Sequence, residues 1–267
     1  MKDFFSTYWL YIRVFFRGRV EYRLSFILGL LSNFYCYFIT FATYWVLISG
    51  IGNVAGWNFS ELSVLYGLSL LTYAIAGTLI WYTGYHMGDL VQSGKLDVFL
   101  MRPIGVLRQL IFQRFGDTFI GQIIVTIVFL VTAFSKLSNH LNGCKIIYLI
   151  LSIIGGVLIQ VASMIIVGSL SFFIVKSTEI GDIFYYDMRD MTQYPIEIFP
   201  KVIQYILTFV CPWAFINYYP SLLLLDKVSS RYEFILGIIA PLIGVIMLLL
   251  SLLIFNYGLK KYSGVGN

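Results

Sequence analysis

The side chains that most often carry acid–base, metal or nucleophilic chemistry are few in this chain and are not arranged for catalysis. There are 2 His and 3 Cys among 267 residues. No HExxH zinc motif occurs, and Cys36, Cys144 and Cys211 have no CxxC spacing. The only Gly-Lys pair, Gly94-Lys95, lacks the upstream glycine and the following Ser or Thr of a phosphate-binding loop. We therefore expect no enzymatic site, metal centre or nucleotide site on this chain.

The elements that would have to position any site are six long apolar stretches, and none of them contains Asp, Glu, Lys, Arg or His. A helix rises about 1.5 Å per residue, so about 20 apolar residues cross a hydrocarbon core about 30 Å thick. The composition agrees, with 59% hydrophobic and 12% charged residues. We predict an all-α integral membrane protein with a single transmembrane domain and six transmembrane helices over residues about 25–48, 62–82, 118–135, 146–175, 202–225 and 234–257.

The basic residues indicate how these helices are oriented. With six spans both termini lie on one side, and 14 of the 18 Lys and Arg residues then fall in segments 1–24, 83–117, 176–201 and 258–267. Because cytoplasmic loops carry an excess of Lys and Arg, both termini are expected in the cytoplasm. The first apolar stretch is too long for the core of a signal peptide, so we expect it to be retained.

The N-terminal segment 1–24 has the pattern of a helix that lies in the membrane interface. At about 100° per residue its aromatic side chains share one side, while Asp3, Ser6, Arg13 and Arg17 share another. We predict an interfacial amphipathic helix. An extension of the first span with basic flanks is the alternative.

The lack of charge inside the spans restricts the mechanism. A charged residue at the centre of a membrane helix costs about 2.5–3.5 kcal/mol, so ion-coupled carriers keep such residues only where they function. No Ser–His pair for intramembrane proteolysis and no ring of charges for ion selection is expected at depth. We expect no ion coupling, and the energy for uphill transport would have to come from another subunit.

The loop 83–117 is the candidate receiver of that energy. Its sequence predicts a short helix up to Ser93, a break at Gly94, a second short helix over Lys95–Met101 and a stop at Pro103. An apolar helix face with a polar rim suits a groove on a cytoplasmic partner, although a helix on the membrane surface is the alternative. The face consists of Leu96, Phe99 and Leu100, and the rim of Lys95, Asp97 and Arg102.

Two motifs resemble the six-span permease subunits of bacterial type-2 ABC exporters. The stretch Gln92–Ile104 is similar to their motif G-x-L-D-x-x-L-x-[RK]-P-[IL]. Tyr194–Pro200, followed by Cys211–Pro220, resembles a second stretch of the same family. The resemblance extends over the whole chain in span number, orientation and interfacial helix. The first motif is fairly specific for a branch in which a separate ATPase works with two permease polypeptides.

The resemblance implies roles for the matched residues. The segment from Gly94 to Pro103 would be the coupling helix that docks in a groove of the ATPase, and Pro212 and Pro220 would bend span five and its outer end. Tyr194, Pro195 and Pro200 belong to the second motif. The residues expected to couple to the ATPase are Gly94, Leu96, Asp97, Leu100, Arg102 and Pro103, with Phe99 added from the apolar face.

The resemblance also implies partners and a location. Two copies of an ABC ATPase would bind ATP and Mg on their own chains, and a second permease, identical or homologous, would complete the membrane part. This chain would bind no cofactor, would contact membrane lipids and would lie in the bacterial cytoplasmic membrane. We expect no nucleic-acid partner, because the basic residues are not clustered on a polar domain.

Span one is unusually aromatic and is the candidate wall of a translocation path. An apolar, uncharged path would favour an amphiphilic substrate. Lipid exposure or helix packing is the alternative interpretation. The aromatic residues, spaced at i, i+3, i+4 and i+7, are Phe34, Tyr37, Phe38, Phe41, Tyr44 and Trp45.

The acidic stretch Thr178–Gln193 has two interpretations. It contains Arg189 and four acidic residues, Glu179, Asp182, Asp187 and Asp190, within the predicted cytoplasmic segment 176–201. Such a stretch would form either a second contact with the ATPase or an ordinary solvated loop. A proton relay is disfavoured, because the charged residues precede the predicted span.

We therefore predict the transmembrane subunit of an ATP-driven exporter, which forms the translocation path and couples to a separate ATPase. A secondary carrier or channel without an ATPase is the first alternative, and transport driven by an ion gradient would identify it. An assembly or scaffold protein is the second alternative, and its loss would mislocalise a partner without a transport defect.

Overall fold

The chain is built mainly from five long helices. The computed structural model describes residues 23–51, 53–113, 116–137, 142–174 and 187–262, together with Tyr185 and six residues between positions 9 and 18. The long helices are α1 Arg23–Ile51, α2 Phe59–Tyr85, α6 Phe119–Lys136, α7 Gly143–Leu170 and α11 Arg231–Lys261.

Shorter elements connect these helices. A hairpin of two short strands, β1 Asn53–Val54 and β2 Trp57–Asn58, joins α1 to α2. Its turn places Ala55 and Gly56 at φ values of 51° and 81°, so the all-α prediction is incomplete here. The other α-helices among the described residues are α3 Met87–Gln92, α4 Leu96–Leu100, α5 Val106–Gln113, α8 Met188–Met191, α9 Lys201–Tyr205 and α10 Tyr218–Leu224.

The structure bears out a mostly helical, multi-pass membrane protein. Five helices are long and apolar enough to cross a membrane, and the bent pair Lys201–Val210 and Trp213–Leu224 is a sixth candidate. Most of the predicted interfacial helix at 1–24 lies outside the described residues.

Helix α2 forms the core of the bundle. It packs against α6 and α7 and is almost completely buried, whereas α1 lies at the edge and is mostly exposed. Three hydroxyls of α2 donate hydrogen bonds to carbonyl oxygens one turn earlier in the same helix, so they need no partner from another helix. These hydroxyls belong to Ser63, Thr72 and Thr78, and the carbonyls to Phe59, Leu68 and Ala74.

Glycines allow the backbones of α7 and α11 to touch. A Cβ atom at Gly244 would lie 2.3 Å from the carbonyl oxygen of Gly155, and one at Gly155 would lie 2.6 Å from the Cα of Pro241. Near the end of α2, a Cβ at Gly84 would lie 2.9 Å from the carbonyl oxygen of Met164. Small residues of this kind drive close helix packing in membranes.

The chain crosses the bundle between α7 and Glu197. Helix α7 ends beside the last turn of α2, where Gly168 lies against Gly84. Glu197 lies at the opposite end, because its carboxylate accepts a 2.6 Å hydrogen bond from Tyr218, whose ring packs against Trp57 just before α2. The end of α7 and Glu197 therefore lie at opposite ends of the bundle.

This course of the chain differs from the prediction that residues 176–201 form a cytoplasmic loop and residues 202–225 form span five, which stays a prediction. Residues 201–224 instead form a hairpin with a 75° bend, which begins just after Glu197 at the α2 N-terminal end. It also ends there, since Asp226 pairs with Lys145 in the first turn of α7 (2.6 Å). A hydropathy criterion identifies the apolar hairpin as a span. It does not identify the segment before Glu197, because that segment is polar.

A lysine joins three segments at the hairpin end of the bundle. The Nζ of Lys227 donates to the Glu61 carboxylate (2.7 Å) and to the Gly56 carbonyl oxygen (2.9 Å), and lies 5.1 Å from the centre of the Trp57 ring. Glu61 also accepts a hydrogen bond from the backbone N–H of Asn58 (2.7 Å), which caps α2. The β1–β2 hairpin is thereby fixed to the loop before α11.

Candidate functional site

The predicted coupling segment is a short helix between two turns. Gly94 has a φ of 67° and turns the chain between α3 and α4, a conformation that favours glycine. Helix α4 begins at Leu96 and ends at Leu100, and Pro103 lies in the turn before α5. The break and the helix lie where the sequence predicts them.

The predicted apolar face of α4 is divided between the core and the surface. Leu96 is 0% exposed and Phe99 is 6% exposed, and both belong to the core cluster of the chain. The Gln109 side chain on α5 donates hydrogen bonds to the carbonyl oxygens of Phe99 (2.8 Å) and Ile104. The helix buries that side against its own bundle, which does not support a contact of Leu96 and Phe99 with a partner, and this contact stays a prediction.

The other side of α4 carries an exposed apolar strip. Met101 is 82% exposed, and Leu100 is the one predicted apolar coupling residue on this side. Asp97 and Arg102 are exposed beside the strip, and the Arg102 guanidinium lies 5.9 Å from the centre of the Phe99 ring. The α4 strip, as it is named from here on, consists of Val98, Leu100, Met101 and Ile104.

The two sides of α4 are expected to respond differently to truncation. Leu96→Ala should lower the free energy of unfolding by about 2–5 kcal/mol, because it leaves a cavity in the core. Leu100→Ala, the matched control, should change it by about 1 kcal/mol or less. Thermal denaturation of the two variants in detergent, followed by size-exclusion chromatography, measures the difference. Equal midpoints would show that Leu96 does not anchor the helix.

The aromatic residues of α1 are also divided between packing and exposure. Phe41 lies 4.1 Å from Phe129 between ring centres, and Tyr44 stacks on Tyr66 at 4.1 Å. These two buried rings attach α1 to α6 and α2, as the packing alternative predicts for them. Tyr37 is half-buried, and Phe34, Phe38 and Trp45 are exposed.

An ion pair lies against the middle of α2. Both Nε and Nη2 of Arg189 donate to Oδ1 of Asp190, at 3.0 and 2.8 Å, and the guanidinium lies 4.7 Å from the centre of the Tyr73 ring. Gln193 Nε2 donates to the same carboxylate oxygen at 2.8 Å. Tyr73 lies close to the midpoint of α2, and the Tyr185 ring packs near it at 5.9 Å.

Further polar contacts fasten this segment along α2. The Thr192 and Ser69 hydroxyls are hydrogen-bonded at 2.9 Å. The Asn217 side-chain amide donates to the carbonyl oxygens of Leu65 (3.1 Å) and Thr192. Residues later in the segment thus contact residues of α2 that lie nearer the N-terminal end of α2. The segment therefore runs antiparallel to α2.

Arg189 and Asp190 lie beside the middle of a candidate span, which conflicts with the expectation that no titratable group lies at depth. Each charge at the centre of a membrane helix costs about 2.5–3.5 kcal/mol, so pairing and a polar surrounding must offset this cost. Neither interpretation of the acidic stretch as a cytoplasmic surface fits its described part, while Glu179 and Asp182 lie outside the described residues. One feature of the sequence could have indicated this position. It is the apolar and aromatic run Ile183–Tyr186, which directly precedes the charged residues.

The two prolines predicted to bend span five occupy different positions. The chain bends by 75° between Val210 and Trp213, and Pro212 lies within that bend. Pro220 lies in the first turn of α10, where a missing N–H removes no helical hydrogen bond. The bend of this hairpin is therefore at Pro212, and a gating role for either proline stays a prediction.

The structure thus combines a bundle of candidate spans, an exposed apolar strip on a loop and a polar segment beside the middle of α2. No curated protein and no solved structure matches the chain. The family model described as ABC-2 family transporter protein matches residues 34–266, which cover most of the sequence. Members of this family are generally non-catalytic and associate with an ABC ATPase. The chain therefore belongs to the ABC-2 transporter family and is a permease subunit of that type.

Proposed function

We propose that this permease subunit serves an ATP-driven exporter and docks a separate ATPase through the α4 strip. The strip carries the proposal, because it is an exposed apolar helix face on a chain without a phosphate-binding motif. The buried side of α4, at Leu96 and Phe99, packs into the core. A displacement of the strip by the ATPase would therefore be transmitted to the bundle.

The same proposal includes the partners and the location that the family resemblance implies. Two ATPase copies bind ATP and Mg, and a second permease, identical or homologous, pairs with this chain. The assembly lies in the bacterial cytoplasmic membrane with both termini of this chain inside, as the excess of basic residues in the inner segments supports. The substrate is an amphiphile.

Purification of the chain from its native membrane tests the proposal. The eluted complex should hydrolyse Mg-ATP and contain an ATP-binding polypeptide in equimolar amount with the permeases. Any hydrolysis comes from the partner, since this chain lacks the motif that hydrolysis requires. A pure permease without hydrolysis or an ATP-binding chain would contradict the proposal.

The ion pair of Arg189 and Asp190 at depth supports a second candidate, an ion-coupled carrier without an ATPase. The chain alone, reconstituted in liposomes, would then dissipate an imposed proton or sodium gradient. A pH-sensitive or sodium-sensitive dye inside the liposomes measures this. Under the exporter proposal the gradient should persist as it does in empty liposomes.

A further inference from the structure

We infer that the segment 187–193 borders a water-filled path half-way along the length of the bundle. The face of the segment that borders this path carries Asp187, Asp190 and Gln193. The inference deepens the proposed function and rests on it, because it describes where a permease of this kind admits solvent and substrate. Its test uses the chain in its membrane and does not depend on knowing the substrate.

The depth of the segment follows from short contacts with α2. Ser69 and Thr192 are joined through their hydroxyls at 2.9 Å, so two short side chains hold the two backbones close together. One helical turn before Thr192, the Arg189 guanidinium lies over the Tyr73 ring. Tyr73 is near the midpoint of a helix long enough to span the membrane. The ion pair is therefore far from both ends of α2.

The need for water follows from the carboxylates. The Asp190 side chain is 57% exposed, and the donors from Arg189 and Gln193 all reach Oδ1. Within the described part of the chain, no donor reaches Oδ2 of Asp190, and Asp187 is exposed without a hydrogen bond or an ion pair. An ionised carboxylate accepts through both oxygens, and hydrocarbon offers no donors. Water in the path would supply these hydrogen-bond donors.

The electrostatics of this face indicate the polar group that it accepts. Arg189 is turned inward onto Tyr73 with a side chain only 20% exposed, whereas the carboxylate of Asp190 faces outward. The face that borders the path is therefore acidic. An amphiphile with a neutral or cationic polar group fits this face better than an anion does.

Cysteine labelling in native membrane vesicles tests the path. The parent carries Cys36→Ala, Cys144→Ala and Cys211→Ala, and single cysteines are then placed at Asp187→Cys and Gln193→Cys. The matched control is Val128→Cys, which lies mid-way along α6 and is exposed on the outside of the bundle. The probes are two membrane-impermeant methanethiosulfonates, one cationic and one anionic.

The expected result is labelling at least tenfold faster at Asp187→Cys and Gln193→Cys than at Val128→Cys, with the cationic reagent faster than the anionic one. Equally slow labelling at all three positions would overturn the inference. So would labelling of the first two positions only after detergent extraction, because it would show a buried contact with a second copy. The Asp187 side chain makes no hydrogen bond or ion pair within the described residues, so its variant remains informative if Gln193→Cys disturbs folding.

The failure of the path is distinguishable from the failure of the proposed function. ATP hydrolysis is measured on complexes purified from the same vesicles. Hydrolysis without labelling rejects the path alone. A native complex without any ATPase rejects the exporter proposal, whatever the labelling shows.

Discussion

A chain that carries Leu100→Asp and Met101→Asp together is expected to lose its ATPase while keeping its fold. Both side chains are exposed in the α4 strip, so the substitutions leave the core unchanged. Two carboxylates would, however, have to be desolvated in an apolar groove. A lost anchor at an interface costs about 2 kcal/mol or more, which corresponds to roughly 30-fold in affinity. The ATPase activity that co-purifies with the permease should fall accordingly.

The matched control for this double variant is Lys95→Asp. Lys95 is exposed in the same loop but outside the α4 strip. It also precedes the first residue of α4, where aspartate is a favourable cap. The control should keep most of the ATPase activity. If the double variant keeps it as well, with an unchanged elution profile, α4 is not the docking element.

Replacement of Gly244 by alanine is expected to separate α7 from α11. The new Cβ would lie 2.3 Å from the carbonyl oxygen of Gly155 and 2.9 Å from its Cα. These are backbone atoms, so no side-chain rotation relieves the overlap. Overpacking of this kind costs about 1–3 kcal/mol, and we expect the upper end of that range. The thermal midpoint of the purified protein, followed by intrinsic Trp fluorescence, should decrease.

Gly29→Ala is the control for Gly244→Ala. Gly29 also lies inside a long helix, but nothing lies within 4 Å of the place its Cβ would take. Alanine favours the helix over glycine, so this variant should be as stable as the parent or more stable. Equal decreases for both variants would show that helix propensity, and not the α7–α11 contact, governs stability.

The sequence was sufficient to locate five of the candidate membrane-spanning helices. Five charge-free stretches correspond to α1, α2, α6, α7 and α11, because a helix that crosses the hydrocarbon core needs about 20 predominantly apolar residues. The break at Gly94 was also predictable, since a turn at that point favours a residue without a side chain.

Two features were not accessible to the same reasoning. A prediction from hydropathy assumes that every segment that crosses the membrane faces lipid. It therefore assigns the polar segment before Glu197 to a loop and the apolar hairpin 201–224 to span five. Helical periodicity grouped Leu96, Phe99 and Leu100 into one face. Only the fold shows that the first two belong to the core and the third to the surface.

The hydroxyls of α2 have a consequence for biosynthesis. Ser63, Thr72 and Thr78 bind carbonyls of their own helix, so α2 can leave the translocation machinery and reside in lipid before α7 and α11 are translated. Ser69 differs, because its partner Thr192 is 123 residues later in the chain. The Ser69–Thr192 hydrogen bond can therefore form only after the chain has been translated as far as Thr192.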